Sequence, residues 1–461
     1  MIARMESFTA LTLPPPLARA IETLGYERMT PIQAESLPSI LARRDVLGRA
    51  RTGTGKTTAF GLGLLTALDP AAIRTQALVL CPTRELADQV AKSLRALARF
   101  VPNVKITTLT GGVSLRPHIA SLEQHDPHVV VGTPGRVQEL VRKKHLHLGG
   151  VSVLVLDEAD RMLDMGFLDA IRELVGKTPR ERQTLLYSAT MPDEIRALAK
   201  SVQRDAVEVV ADDVEATPAI EQRFVEVEAG TKLDVLIELV GDYESVLVFC
   251  NMRSTVDEVA AGLVERGVAA LALHGELDQR EREETLVRFA NRSATVLVAS
   301  DVAARGLDIA ELPAVVSYDL ATDPDAHLHR IGRTGRAGRT GVALALVTPR
   351  EMPRARAIET AQGAARWSVA KPGARGAKSR PAAAAMATLA IDAGKTDKLR
   401  AGDILGALTG SAGLAGDEVG KIDIFPTRSY VAVRAGLIDR AMHRLREGKI
   451  KGRSFRVRKL R

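Results

Sequence analysis

The chain has 461 residues, 46% of them hydrophobic, and a formal net charge of +8. That length exceeds what one core holds, so about two to four domains are expected. No run of about 18 apolar residues occurs, and MIARMESFTALTLPPP at the N-terminus lacks an apolar signal segment, so neither a membrane span nor a secretory leader is expected.

Cys81 and Cys250 are the only cysteines. Two distant thiols argue against a disulfide framework or a Cys/His metal cluster, and suit a reducing cytoplasm. The charge is uneven. Residues 361–461 hold 21 Lys/Arg against 8 Asp/Glu, a net of +13, which leaves −5 for residues 1–360. A mildly acidic body with a basic tail points to a polyanion partner.

In chain order, the first chemistry-bearing segment is RARTGTGKTTAF (49–60). Thr52, Gly53, Thr54 and Gly55 form a loop whose backbone can wrap phosphate oxygens before a helix start. Lys56 would reach the β/γ-phosphates and Thr57 would hold Mg²⁺. The commonest loop of this kind opens on Gly; here the position is Ala50. Apolar runs follow at 76–82, 128–134, 151–160 and 183–190, each ending at polar residues, as parallel strands buried on both faces do. Helical stretches between them predict an open, doubly wound RecA-like sheet. VLVLDEAD ends one run with Asp157, placed for the Mg²⁺, and Glu158, placed to activate an attacking water.

The pattern then restarts. ALVLCPTREL (77–86) parallels VLVFCNMRST (246–255), so two tandem α/β domains are expected, with the break near 207–222. Residues 366–385 carry five basic residues and no acidic ones among many Ala, Gly and Pro, which predicts a flexible linker. The last segment reads βαββαβ, a ferredoxin-like order shared with RRM modules. The expected units are therefore 1–208, 219–365, the linker 366–385, and 386–461. Tandem motor domains in one chain make a monomer sufficient.

The motifs MTPIQ (29–33), PTREL (82–86), TGG (110–112), TPGR (133–136), DEAD (157–160), SAT (188–190), VFCN (248–251), SDVAARGLDI (300–309) and HRIGRTGRAGR (329–339) occur in that order. Together they resemble the DEAD-box RNA helicases over roughly residues 5–350. The resemblance implies ATP as the nucleotide, with Gln33 reading adenine. Phe8 either supports that site or packs in the core. Arg333 and Arg336 would be arginine fingers, and Gly306 and Asp308 would approach the ribose. Asp160, Ser188 and Thr190 would bridge ATP site and RNA. The RNA track would comprise Arg84, Gly112, Thr133, Gly135 and Arg136 in the first domain. In the second it would comprise Asn251, Arg253, Gln279, Arg282, Asp301 and Arg305. Such small, polar and basic residues suit phosphates and 2′-hydroxyls.

The tail segments ATLAID (387–392), KLRAGDILGALTG (398–410), VGKIDIFPTRSYVAV (419–433) and GKIKGRSFRVRKL (448–460) resemble the RNA-binding domain of one branch of that family. That likeness implies anchoring on a 23S ribosomal RNA hairpin and a role in large-subunit assembly. Tyr430 is the one aromatic available to touch a base, too few for binding by bases stacked across the sheet. Lys449, Lys451, Arg453, Arg456 and Arg458 would form a phosphate-contacting surface. The rival readings are a cold-shock type helicase acting on many RNAs, and an ATP-gated RNA clamp that separates no strands.

Overall fold

The computed structural model describes residues 7–50, 53–210, 220–304, 312–335, 340–362, 365–370, 383–410 and 413–460. The chain divides into two compact units between Val210 and Ile220.

The first unit is built on β1 (Val46–Arg49), β2 (Ala77–Leu80), β3 (Ile106–Leu109), β4 (Val129–Gly132), β5 (Val153–Leu156), β6 (Gln183–Ser188) and β7 (Val207–Val210). They form one sheet in the order β3-β4-β2-β5-β6-β1-β7, paired in parallel throughout. Successive residues face opposite sides of a strand. Ala77 and Val79 accordingly pack into one apolar cluster, with Val129, Val131, Val153 and Val155. Leu78 and Leu80 enter the other, with Val130, Leu154 and Leu156. Both faces are covered by helices, which is why these strands read as unbroken apolar runs.

The second unit repeats the plan with β8 (Ile220–Glu226), β9 (Val246–Cys250), β10 (Ala270–Leu273), β11 (Val296–Ser300), β12 (Ala314–Ser317), β13 (Gly341–Val347) and β14 (Arg366–Val369), in the parallel order β10-β11-β9-β12-β13-β8-β14. The start of the expected linker is thus corrected. Arg366–Val369 is an edge strand on β8, because Trp367 lies 4.8 Å from the Phe224 ring and donates to Glu359 Oε1 at 2.8 Å. Residues 371–382 of that stretch lie outside the described residues.

The same unit carries β15 (Met386–Ile391), β16 (Val419–Ile424), β17 (Ser429–Arg434) and β18 (Val457–Lys459), with helices Ala401–Thr409 and Ile438–Glu447. The antiparallel order β16-β17-β15-β18 is the expected ferredoxin-like one. One sheet face packs on those two helices through Leu389, Ile391, Val431 and Val433. The opposite face meets the helix Gln279–Ala290 of the preceding sheet domain. Ala390, Tyr430 and Leu460 cluster there with Val287. Asn291 Nδ2 donates to Thr388 Oγ1 at 2.8 Å, and the Tyr430 hydroxyl donates to Glu283 Oε1 at 2.8 Å.

Candidate functional site

The strand order sorts the first unit's motif residues into two groups. Loops after β5, β6 and β1, which are neighbours, carry 157–160, 188–190 and the phosphate-type loop. Loops after β3, β4 and β2, also neighbours, carry Gly112, Thr133 to Arg136, and Arg84. In a parallel sheet all these loops lie at the strands' carboxyl ends, where such folds bind ligands.

Gly53 and Gly55 have φ of 89° and 94°, left-handed values that glycine adopts without Cβ strain. Lys56 opens the helix Lys56–Thr66, is 5% exposed and donates to the Ala50 carbonyl at 3.0 Å. Its Nζ stands 3.9 Å from Asp157 Oδ1. Burial pushes the Asp157 carboxyl up to about 6, against the pull of Lys56 and helped by the neighbouring Glu158 charge. Glu158 sits at φ 54°, a left-handed conformation uncommon outside glycine, and its Oε2 lies 2.8 Å from Arg161 Nη1; both side chains are buried. Sequence reasoning missed Arg161, whose i+3 spacing from Glu158 was the available signal.

Gln33 serves the loop directly. Its Nε2 donates to the Gly55 carbonyl at 3.1 Å and its Oε1 accepts from Thr30 N at 2.8 Å. Thr30 Oγ1 in turn donates to the Thr54 carbonyl at 2.7 Å. The Thr-x-x-Gln capping box was the legible sign of this brace. Phe8 is buried and stacks on Tyr26, 6.3 Å between ring centres.

Asp160, Ser188 and Thr190 come together at the ends of β5 and β6. Asp160 Oδ2 accepts from Ala189 N at 3.1 Å, Thr190 N at 2.9 Å and Thr190 Oγ1 at 2.9 Å, while Asp160 N donates to Ser188 Oγ at 3.2 Å. On the other half of the sheet edge, Gly112 has φ 75°, and a Cβ there would overlap the Arg84 guanidinium. Arg136 Nη2 donates to the Val113 carbonyl at 2.8 Å. Thr133 is buried before the helix Pro134–Arg142, whereas a Cβ on Gly135 would meet nothing within 4 Å.

In the second unit the corresponding residues follow β9, β10 and β11, again neighbours. Arg330, 1% exposed, ties two of them, Asn251 and Asp301, together. Its Nε and Nη2 donate to both carboxylate oxygens of Asp301 at 2.7 Å, and Nη2 also to Asn251 Oδ1 at 2.6 Å. The sequence showed an Arg-rich motif but not which arginine is structural. Arg253 pairs with Glu276, Gln279 opens the helix Gln279–Ala290, and Arg282 Nη2 donates to the Ala303 carbonyl at 2.8 Å. Arg333 is buried just beyond the helix Pro324–Ile331. Thr52, Arg305, Gly306, Asp308 and Arg336 lie outside the described residues.

Two expectations for the tail are corrected. Tyr430 is 0% exposed under the Gln279–Ala290 helix and has no face open to a base. Arg458 is bonded to Glu284 of the same helix, so this guanidinium is committed within the protein. Lys449 and Arg456 are exposed. Exposed Arg453 donates to Asp397 Oδ1 at 3.3 Å, and exposed Lys451 to the Lys398 carbonyl at 3.2 Å.

Over 460 residues, 99% of this chain and the whole of the relative, the sequence is 50% identical to the ATP-dependent RNA helicase DbpA of Escherichia coli (strain K12). This chain belongs to the DEAD-box RNA helicases. Three family patterns agree: DEAD/DEAH box helicase over 30–198, helicase conserved C-terminal domain over 231–338, and DbpA RNA binding domain over 388–459. The DEAD-box ATP-dependent RNA helicase CshA of Bacillus cereus is 43% identical over 358 residues, 77% of this chain and 68% of its own length. Saccharomyces cerevisiae Dbp5 bound to RNA and ADP BeF3 shares 32% identity and a TM-score of 0.71 over 79% of this chain and 95% of its own. The protein is therefore an RNA-stimulated ATPase and RNA helicase with a C-terminal RNA-binding domain. Among the described residues no helix is long and apolar enough to cross a membrane.

Proposed function

We propose that this cytoplasmic helicase locally opens short duplexes in 23S ribosomal RNA during large-subunit assembly, held there by its tail's grip on one hairpin. The observation that carries this reading is the tail itself. The DbpA-type domain spans 388–459, whereas the likeness to CshA covers only 358 residues.

At the ATP site, the loop amides of 53–55 and Lys56 bind the phosphates, and Gln33 both braces that loop and turns its remaining donor and acceptor capacity to adenine. Glu158, held by Arg161, takes the proton of the attacking water. Arg333 and Arg336 neutralise charge on the transferred phosphoryl. Asp157 Oδ1 is buried without a hydrogen-bond partner, which suits a water of hydrated Mg²⁺, with Thr57 as the second protein group. Bound there, the ion would offset negative charge on the β- and γ-phosphates. The Asp160–Thr190 link ties the loop after β5 to the loop after β6 beside this site, and through it ATP state and RNA grip change together in this reading.

For the tail, the sheet face is covered, which leaves exposed Lys449, Lys451, Arg453 and Arg456 as the phosphate-contacting set. The test is ATP-dependent release of a short duplex joined to the 23S hairpin or to a scrambled hairpin. Faster release with the native hairpin supports the reading. Equal release from both substrates overturns the rRNA assignment.

A further inference from the structure

The Gly111–Val113 loop has more support than its own sequence supplies. Two arginines from neighbouring strand ends flank it: Arg84 lies against Gly111 and Gly112, and Arg136 donates to the Val113 carbonyl. Arg136 is itself held. Its side chain is 9% exposed, its Nε lies 3.3 Å from Glu139 Oε2, and its Nη1 meets His118 Nδ1 at 2.8 Å. His118 is half-buried on the helix Arg116–Gln124, directly downstream of the loop. A guanidinium only donates, so at this contact His118 Nδ1 must accept, which requires the neutral ring. Burial and the Arg136 charge both push the imidazole below its ordinary value, outweighing the opposite pull of Glu139.

We infer that His118 is a positioning residue for RNA binding, acting through Arg136 to set the Gly111–Val113 loop at the height where it meets the RNA backbone. This rests on the reading of that loop as part of the RNA track. The imidazole fixes one rotamer of a long, flexible side chain. Arg136 then spends a second N–H on the Val113 carbonyl, and the loop is closed between two arginines before RNA arrives. Without the acceptor at 118, Arg136 keeps its charge but loses its fixed direction, and RNA must order the loop as it binds. The loss falls on RNA affinity, because His118 lies on the β3-β4-β2 side of the sheet edge and the ATP residues on the β5-β6-β1 side.

The experiment is RNA-titrated ATPase of the full chain at saturating ATP and fixed salt. His118→Met and His118→Gln are of similar length, one without and one with an acceptor oxygen, and Arg136→Ala is the reference. A hydrogen bond to a charged group predicts about a tenfold rise in half-saturating RNA for His118→Met. Maximal turnover and the KM for ATP should stay within about twofold, as expected when one binding interaction is lost. His118→Gln should return most of the RNA affinity. The proposal is overturned if both His118 variants are equally impaired, or if His118→Met matches wild type while Arg136→Ala binds RNA weakly. An unchanged RNA requirement in Arg136→Ala would overturn the RNA-track reading and this inference with it.

Discussion

Asp160 offers the sharpest test of how hydrolysis is joined to strand opening. Its two carboxylate oxygens are both used: Oδ2 accepts three bonds from residues 189 and 190, and Oδ1 accepts from Arg161 N at 3.0 Å. Asp160→Asn keeps the shape but turns one acceptor into a donor. If the amide nitrogen replaces Oδ2, the N–H groups of 189 and 190 face a donor, and only the Thr190 hydroxyl can turn to accept. If it replaces Oδ1, Arg161 N loses its acceptor and the three remaining bonds lose their charge assistance. At about 1 kcal/mol per weakened bond, the link loses about 2–3 kcal/mol. Each 1.4 kcal/mol is about tenfold, so ATP-dependent duplex release should slow about 30- to 150-fold. The assay is single-turnover release of a labelled strand, with Thr190→Val and the double variant completing a cycle. Because Thr190 Oγ1 and Asp160 share one bond, the two costs should be less than additive. Release by Asp160→Asn within about threefold of wild type, or strictly additive costs, would refute the coupling argument.

Four further outcomes are expected. Lys56→Ala and Glu158→Gln should each abolish turnover yet leave ATP-free hairpin affinity unchanged, measured by fluorescence anisotropy. Arg161→Met should lower maximal turnover with little change in the KM for RNA, because the Arg161 guanidinium lies against Glu158. Tyr430→Phe leaves Glu283 Oε1 without the donor that offsets its burial. It should destabilise the second unit by about 1–3 kcal/mol, or about 2–4 °C per kcal/mol in calorimetry. For pH, the Asp157 carboxyl is raised to about 6, so its proton is taken up as pH falls through that value. The Mg²⁺ needed for half-maximal ATPase should therefore rise below about pH 6 and level off above about pH 7.

Much of this was legible because it is local. The phosphate-type loop, the DEAD carboxylates and the SAT serine and threonine each sit at the end of an apolar run, and a parallel buried sheet forces such ends to one edge. The tandem domains and the βαββαβ tail were legible for the same reason. What failed depends on contacts between distant residues. Tyr430 reads as an aromatic open to a base until Glu283 and Val287, from the helix Gln279–Ala290, are seen to cover it. Arg458 looks like one more free cation until Glu284 is placed beside it. Arg366–Val369 sits at the front of a stretch with linker composition, and only the packing of Trp367 on Phe224 makes it a strand. Arg330 is indistinguishable by sequence from the arginines around it; its burial and its bonds to Asp301 and Asn251 set it apart.

The central claim is an ATP-driven RNA helicase whose tail selects one ribosomal RNA hairpin. Steady-state ATPase tests it most directly, with a 23S fragment containing the hairpin, a scrambled hairpin and poly(U) compared at one salt concentration. The account predicts strong stimulation by the 23S fragment alone. Equal stimulation by all three would contradict it, leaving an RNA-dependent motor without a ribosomal address.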